Sequence, residues 1–265
     1  MFRHEADPSV GDWLAPRLGP FGAAVGSLVP RGYEAYARVL HPMRDATGAP
    51  VSWATVAAAT GRVVHPTAQS WRVVGRPSPH RAQAESAAWP GDEPATGSLD
   101  SRSLRALMPV LGRHTVGDLV AAFWEGTSWT GGMQLVACLG DEQGVQPPPV
   151  RAPDDLAPEI VHRPKLELPH RAYVLFHASP GDLVDLAEHR ARADVEPFRP
   201  DWRTPNLLWS DDHAWCLATE VDLDSTVVGG SRALVDDLLG APGLEVLEVT
   251  EADSLGWDDD AVNGS

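Results

Sequence analysis

Carboxylates and tryptophans carry most of the chemical potential of this sequence, and both gather between Asp201 and Asp224. The segment AWCLATEVD (214–222) has the composition of a strand, which places Glu220 and Asp222 on one side of it, roughly 6.5–7 Å apart. Carboxylates at that spacing can bind a divalent cation or divide acid and base roles between them. With Asp224 just beyond, Glu220, Asp222 and Asp224 are the candidate catalytic residues and the candidate ligands for Mg²⁺ or Ca²⁺. The competing reading is a strand running out of the core into solvent. No other cofactor is implied, because the sequence has no GxGxxG, Walker-type loop, G-x-S-x-G, C-x-x-C or HExxH. His162, His170 and His177 recur around one strand, but prolines separate them. Cys138 and Cys216 lie in apolar, strand-like surroundings that suit buried thiols better than nucleophiles.

Ten tryptophans stand against three tyrosines and five phenylalanines, so the aromatic character is concentrated in one residue type. Trp124, Trp129, Trp202, Trp209 and Trp215 fall near the ends of predicted elements, several with acids beside them. Aromatic rings next to carboxylates suit a cationic or peptidic ligand. Trp124, Glu125, Trp209, Asp211, Asp212 and Trp215 are therefore the expected binding set. Core anchoring is the alternative role, expected of at least half of the tryptophans.

The net charge of −16 is unevenly placed. Residues 1–150 hold 12 basic and 13 acidic side chains, whereas residues 151–265 hold 9 and 24. The first region is thus nearly neutral and the second carries −15, which sets the expected boundary near residue 150. Such a charge opposes binding to nucleic acid or to an anionic membrane, and it favours cationic partners. The single lysine, Lys165, makes Schiff-base chemistry unattractive. No apolar run reaches the ~18 residues of a membrane span, and the N-terminus lacks a signal-peptide core. A cytoplasmic protein is expected.

The elements that must position these groups read as α+β. Strands are expected at 21–29, 33–40, 133–139, 172–178, 206–209, 214–222 and 244–249, with 206–209 and 214–222 forming a hairpin about the turn Ser210-Asp211-Asp212-His213. Helices are expected at 51–60 with Ser52 as cap and Gly61 as stop, from Asp100 or Ser101 to a break or kink at Pro109, and at 118–126 after a Thr115/Asp118 cap. Two more follow Ser179-Pro180-Gly181-Asp182 and Ser231, the last with Leu234, Val235, Leu238 and Leu239 on its apolar face. Gly229-Gly230 reads as a turn. Residues 76–100 form a long loop, 143–170 an extended connector, and the acidic residues after 250 a frayed tail. The second region then runs β-α-β-β-α-β, and the whole is mixed or antiparallel sheet with helices on one face, in two subdomains of similar size.

Three resemblances bear on function. EVDLDSTVVGG (220–230) is similar to the first motif of the haloacid-dehalogenase-type phosphohydrolases. That resemblance implies Asp222 as nucleophile, Asp224 as general acid, Thr226 as the motif hydroxyl, and Mg²⁺. In that family the motif opens the domain and a lysine follows it; here none follows Thr226. Residues 53–71 loosely resemble a helix-turn-helix, with Pro66 inside the would-be recognition helix. Across most of the chain, GYEAYARVLHP (32–42), SWATVAAATGRVVHP (52–66), RHTVGDLVAAFWEG (113–126) and TPNLLWSDDHAWCLATEVDLDSTVVGG (204–230) resemble actinobacterial-type conserved hypothetical proteins of unknown function. The resemblance implies one recurring unit and no catalytic residue. The expected function is non-enzymatic binding of a basic protein partner through the acidic, Trp-flanked face. The alternative is a divalent-metal-dependent hydrolase or phosphotransferase using Glu220, Asp222 and Asp224.

Overall fold

The computed structural model describes residues 2–76, 88–126, 160, 162–192 and 204–263. The strand expected at 133–139, Cys138, Trp129 and Trp202 lie outside the described residues. The strands in chain order are β1 (Arg3–Glu5), β2 (Ala35–Leu40), β3 (Met43–Arg44), β4 (Pro50–Val51), β5 (Leu119–Trp124), β6 (Leu166–Leu168), β7 (Arg171–Ala178), β8 (Leu207–Ser210), β9 (Cys216–Ala218), β10 (Ser225–Gly230) and β11 (Val246–Val249). β3 and β4 pair with each other, and the rest build a nine-stranded sheet in the order β1-β7-β5-β8-β9-β10-β2-β11, with β6 also paired to β7. Every pairing is antiparallel. β2 lies between β10 and β11, and β5 between β7 and β8, so strands from both sides of residue 150 interleave in one sheet. The change in charge balance there does not divide the sheet.

Both sheet faces are covered, which explains several departures from the sequence reading. Leu119, Ala121 and Phe123 point into one apolar cluster, whereas Val120 and Ala122 point into another. A strand buried on both sides loses its alternation of polarity, so 118–126 imitates a helix while forming β5. The expected cap is used otherwise: the Thr115 hydroxyl donates to the Leu111 carbonyl at 2.7 Å. Gly229 and Gly230 lie inside β10, not in a turn. A Cβ at Gly229 would stand 2.6 Å from the Tyr33 ring, and one at Gly230 would stand 2.7 Å from Leu234, so glycine there permits close packing on both faces. The second region therefore runs β-β-α-β-β-β-α-β, two strands more than expected, because β6 forms within the supposed connector and β10 takes in the supposed Gly-Gly turn.

The helices are α1 (Val25–Leu28), α2 (Trp53–Thr60), α3 (Ser70–Val73), α4 (Ser101–Arg113), α5 (Pro180–Arg192) and α6 (Arg232–Leu239). Ser52 caps α2 by accepting from the Thr55 amide, and Gly61 ends it at φ 68°. Asp100 caps α4, which continues through Pro109 rather than stopping there. The proline is exposed, while Leu104, Leu107, Met108 and Leu111 are buried, so packing holds the helix across it. Ser179 and Asp182 form the reciprocal capping box at α5: the Asp182 carboxylate accepts from the Ser179 amide and Ser179 Oγ from the Asp182 amide, at 2.9 and 3.2 Å. Ser231 caps α6, whose Leu234, Val235 and Leu238 are buried and whose Leu239 is 41% exposed. Residues from α4, α5 and α6 share one cluster on one face of the sheet.

The opposite face is covered mainly by the chain before β2 and by the C-terminal segment, through Leu14, Val25, Leu28, Val29 and Leu255. Residues 21–29, expected as a strand, give only α1 and an isolated bridge from Ala24 to Ser254. The acidic tail is not frayed. Asp260 is 1% exposed, accepts from His65 Nε2 at 2.7 Å and from the amides of Gln69 and Asn263 at 3.1 and 2.9 Å, and Trp257 stacks on Trp71 nearby. α3 spans four residues with Ser70, Trp71 and Val73 buried, so it presents no recognition helix. No described helix is long and apolar enough to cross a membrane.

Candidate functional site

The same alternation that buries both faces exposes polar ends. On the face away from α4–α6, a cleft of about 200 Å³ opens between the Gly19–Leu28 segment, the β6–β7 hairpin and the loop after β9. Leu28, Leu168, Leu207 and Ala218 give it an apolar floor, and Arg171, Tyr173, Glu220 and Asp222 line its polar side. Arg171 and Tyr173 are two residues apart on β7 and so share a face. Ala218 ends β9, paired with Leu207, and the chain then turns through Glu220 and Asp222. Asn206 ties this end of the sheet together: its Oδ1 accepts from the Trp124 amide at 2.8 Å, and its Nδ2 donates to the Thr219 carbonyl at 3.3 Å.

Arg171 Nη2 donates to Glu220 Oε1 at 2.5 Å, and the guanidinium lies 4.7 Å over the Trp124 ring. Burial pushes the Glu220 carboxyl above the ordinary carboxylate range; Arg171 and the Val221 amide oppose this, and Asp222 adds to it. Asp222 is exposed and has no hydrogen-bond or ion-pair partner among the described residues. Tyr173 is 7% exposed, and its hydroxyl has no hydrogen-bond partner among the described residues. Burial raises that hydroxyl's pKa further, so it stays neutral and can both donate and accept. At the mouth, Phe21 is 60% exposed, with its ring 4.8 Å from His170. The site thus offers acceptors above an apolar floor. Its two carboxylates face one guanidinium.

The three carboxylates expected to act together are split. Glu220 and Asp222 share the cleft, but Asp224 is buried elsewhere, bound to Arg38 Nη2 at 2.9 Å and to the Ser70 amide at 3.2 Å. β9 ends at Ala218, so Asp222 and Asp224 precede β10 instead of ending a strand, the reverse of the phosphohydrolase arrangement. The expected Trp-flanked face also separates. Trp209 pairs with Cys216, so it points to the face opposite Trp215, and both indoles are wholly buried. Trp124 lies beneath Arg171, and Glu125 binds Lys165 at 2.7 Å. Asp212 serves the β8–β9 turn, accepting from the Ser210 hydroxyl at 2.6 Å and the Ala214 amide at 3.1 Å. Asp211 accepts from the Asp118 amide at 3.0 Å. The Cys216 thiol is buried and its pKa raised by that burial.

Arg171, Tyr173 and Phe21 were missed. The R-x-Y spacing at the start of the strand expected over 172–178, which in the structure begins at Arg171, was the available signal for the first two; Phe21 gave none, because its segment read as an apolar strand. His162, His170 and His177 do not gather, but donor atoms of Asp118, His177 and Asp211 lie within 4.8 Å of one another. No protein-family model, no curated protein and no solved structure matches this chain.

Proposed function

We propose that the protein is a non-enzymatic binding protein, and that it docks a basic protein partner by seating a lysine or arginine side chain of that partner in the cleft. Asp222 carries the reading. It is an unpartnered carboxylate beside an Arg171–Glu220 pair whose charges already cancel, so the cleft lacks one cation. The aliphatic stem of a basic side chain would cover Leu168 and Leu207, and its head would reach Asp222, the free acceptor capacity of Glu220 and the Tyr173 hydroxyl. Phe21 adds an exposed aromatic ring at the mouth. The −16 net charge favours encounter with a basic surface. The hydrolase alternative has less support, since Asp224 is engaged with Arg38 and Glu220 with Arg171.

Calorimetric titration with short arginine-, lysine- and glutamate-bearing peptides tests this. The basic peptides should bind, more weakly as salt rises, and Asp222→Asn should weaken them about tenfold, near 1.4 kcal/mol. Equal binding of the glutamate peptide, or unchanged affinity in Asp222→Asn, would overturn the reading.

A further inference from the structure

At the other end of β5 and β7 from the cleft, strand register assembles a different group of donors. His177 pairs with Val120 on one side and Arg3 on the other, and it shares a face with Leu175. Asp118 lies two residues before Val120. Asp211 follows Ser210, the partner of Leu119, so the two carboxylates stand beside each other at the ends of β5 and β8. Glu5 approaches from the other diagonal, since it pairs with Leu175, and its Oε2 lies 2.7 Å from His177 Nε2. The carboxylate accepts in that contact, so Nε2 carries a proton and Nδ1 is the nitrogen left for a ligand. Nδ1 is buried and has no hydrogen-bond partner.

The carboxylates are held in place. Gly117 has φ 87°, and a Cβ there would stand 3.0 Å from Asp211 Oδ2, so glycine allows Asp211 its close approach. The Asp118 amide fixes that same oxygen at 3.0 Å and leaves Oδ1 available. Arg3 is 4.0 Å from Asp118 with both side chains largely exposed, a contact too loose to neutralise the group. Three carboxylates and an imidazole therefore face one loosely held cation, and donor atoms of Asp118, Asp211 and His177 lie within 4.8 Å of one another.

We propose that Asp118, Asp211 and His177 Nδ1 bind one divalent first-row transition-metal ion, with Glu5 as the carboxylate that orients the imidazole. Mixed nitrogen and oxygen donors suit Zn²⁺ or Mn²⁺, whereas Mg²⁺ and Ca²⁺ prefer oxygen alone. A carboxylate behind a metal-binding imidazole fixes its tautomer and raises its basicity. This proposal is independent of the cleft.

The test titrates the intact, chelator-treated chain with Zn²⁺, Mn²⁺, Mg²⁺ and Ca²⁺ separately, by calorimetry. It also follows the His177 ring nitrogens by NMR during the Zn²⁺ titration. One equivalent of Zn²⁺ or Mn²⁺ should bind. Asp211→Asn and His177→Gln should each weaken it by at least about tenfold, and Glu5→Gln by about 10- to 100-fold. Asp222→Asn should leave it unchanged. The wild-type spectrum should show Nδ1 perturbed and Nε2 still protonated, a readout that stands even if a variant fails to fold. No saturable binding of either ion, unchanged binding in both ligand variants, perturbation of Nε2 instead, or equally tight Mg²⁺ or Ca²⁺ binding would each overturn the proposal.

Discussion

Replacing Asp224 with asparagine should destabilise the protein without touching the cleft. Arg38 is almost wholly buried, and it donates to Asp224, Ser225 Oγ and the Pro66 and Ala68 carbonyls at 2.8–2.9 Å. Among these partners Asp224 alone carries a compensating charge. Breaking a buried ion pair by removing one partner costs about 3–5 kcal/mol, because the surviving charge is left uncompensated. Asparagine retains an acceptor, so a loss of about 3 kcal/mol is expected. For a chain of this size that lowers the melting temperature by roughly 6–12 °C. Urea unfolding followed by tryptophan fluorescence measures it, and Trp53, 5.5 Å from the Arg38 guanidinium, is a local reporter. The double variant R38M/D224L should lose less than the sum of its single variants, by about 0.5–3 kcal/mol. A single variant within about 0.5 kcal/mol of wild type, a typical surface effect, would refute the argument that Asp224 serves the core.

Pro109→Ala should raise stability by about 1–3 kcal/mol in the same assay, because it restores an amide to the interior of α4 and removes the ring clash one turn back. Gly229→Ala should cost about 1–3 kcal/mol, since the new methyl meets the Tyr33 and Tyr36 rings. Burial pushes the Asp260 carboxyl up, but hydrogen bonds from Asn263, Gln69 and His65 outweigh it and hold the pKa below its usual value. Its contribution is therefore present above the unfolded pKa, near 3.9, and is lost as pH falls through the folded value. Hydrogen exchange of residues 255–263 should rise in that acid range, and Asp260→Asn should abolish the acid dependence of that rise.

What the sequence made legible was local. The caps at Ser52, Asp100, Ser179 and Ser231 read correctly because each bond forms within three residues of its cap. The β8–β9 hairpin read correctly for the same reason. What failed was non-local. β5 looked helical because its neighbours β7 and β8 lie far along the chain and bury both its sides. Gly229 looked like a turn because the Tyr33 ring that excludes a Cβ sits nearly 200 residues away. The tail looked solvated because His65 and Gln69, which hold Asp260, precede it by about as much. Of the candidate site, Glu220 and Asp222 were read together on one side, and they line one cleft. Arg171, which decides the charge there, comes from another strand.

Backbone-amide NMR mapping of an arginine-bearing peptide onto the intact chain tests the cleft most directly. The largest shifts should fall at Phe21, Arg171, Tyr173, Glu220 and Asp222, and they should vanish with Asp222→Asn. Shifts centred on the Asp211–Asp212 turn, or unchanged in Asp222→Asn, would contradict the account.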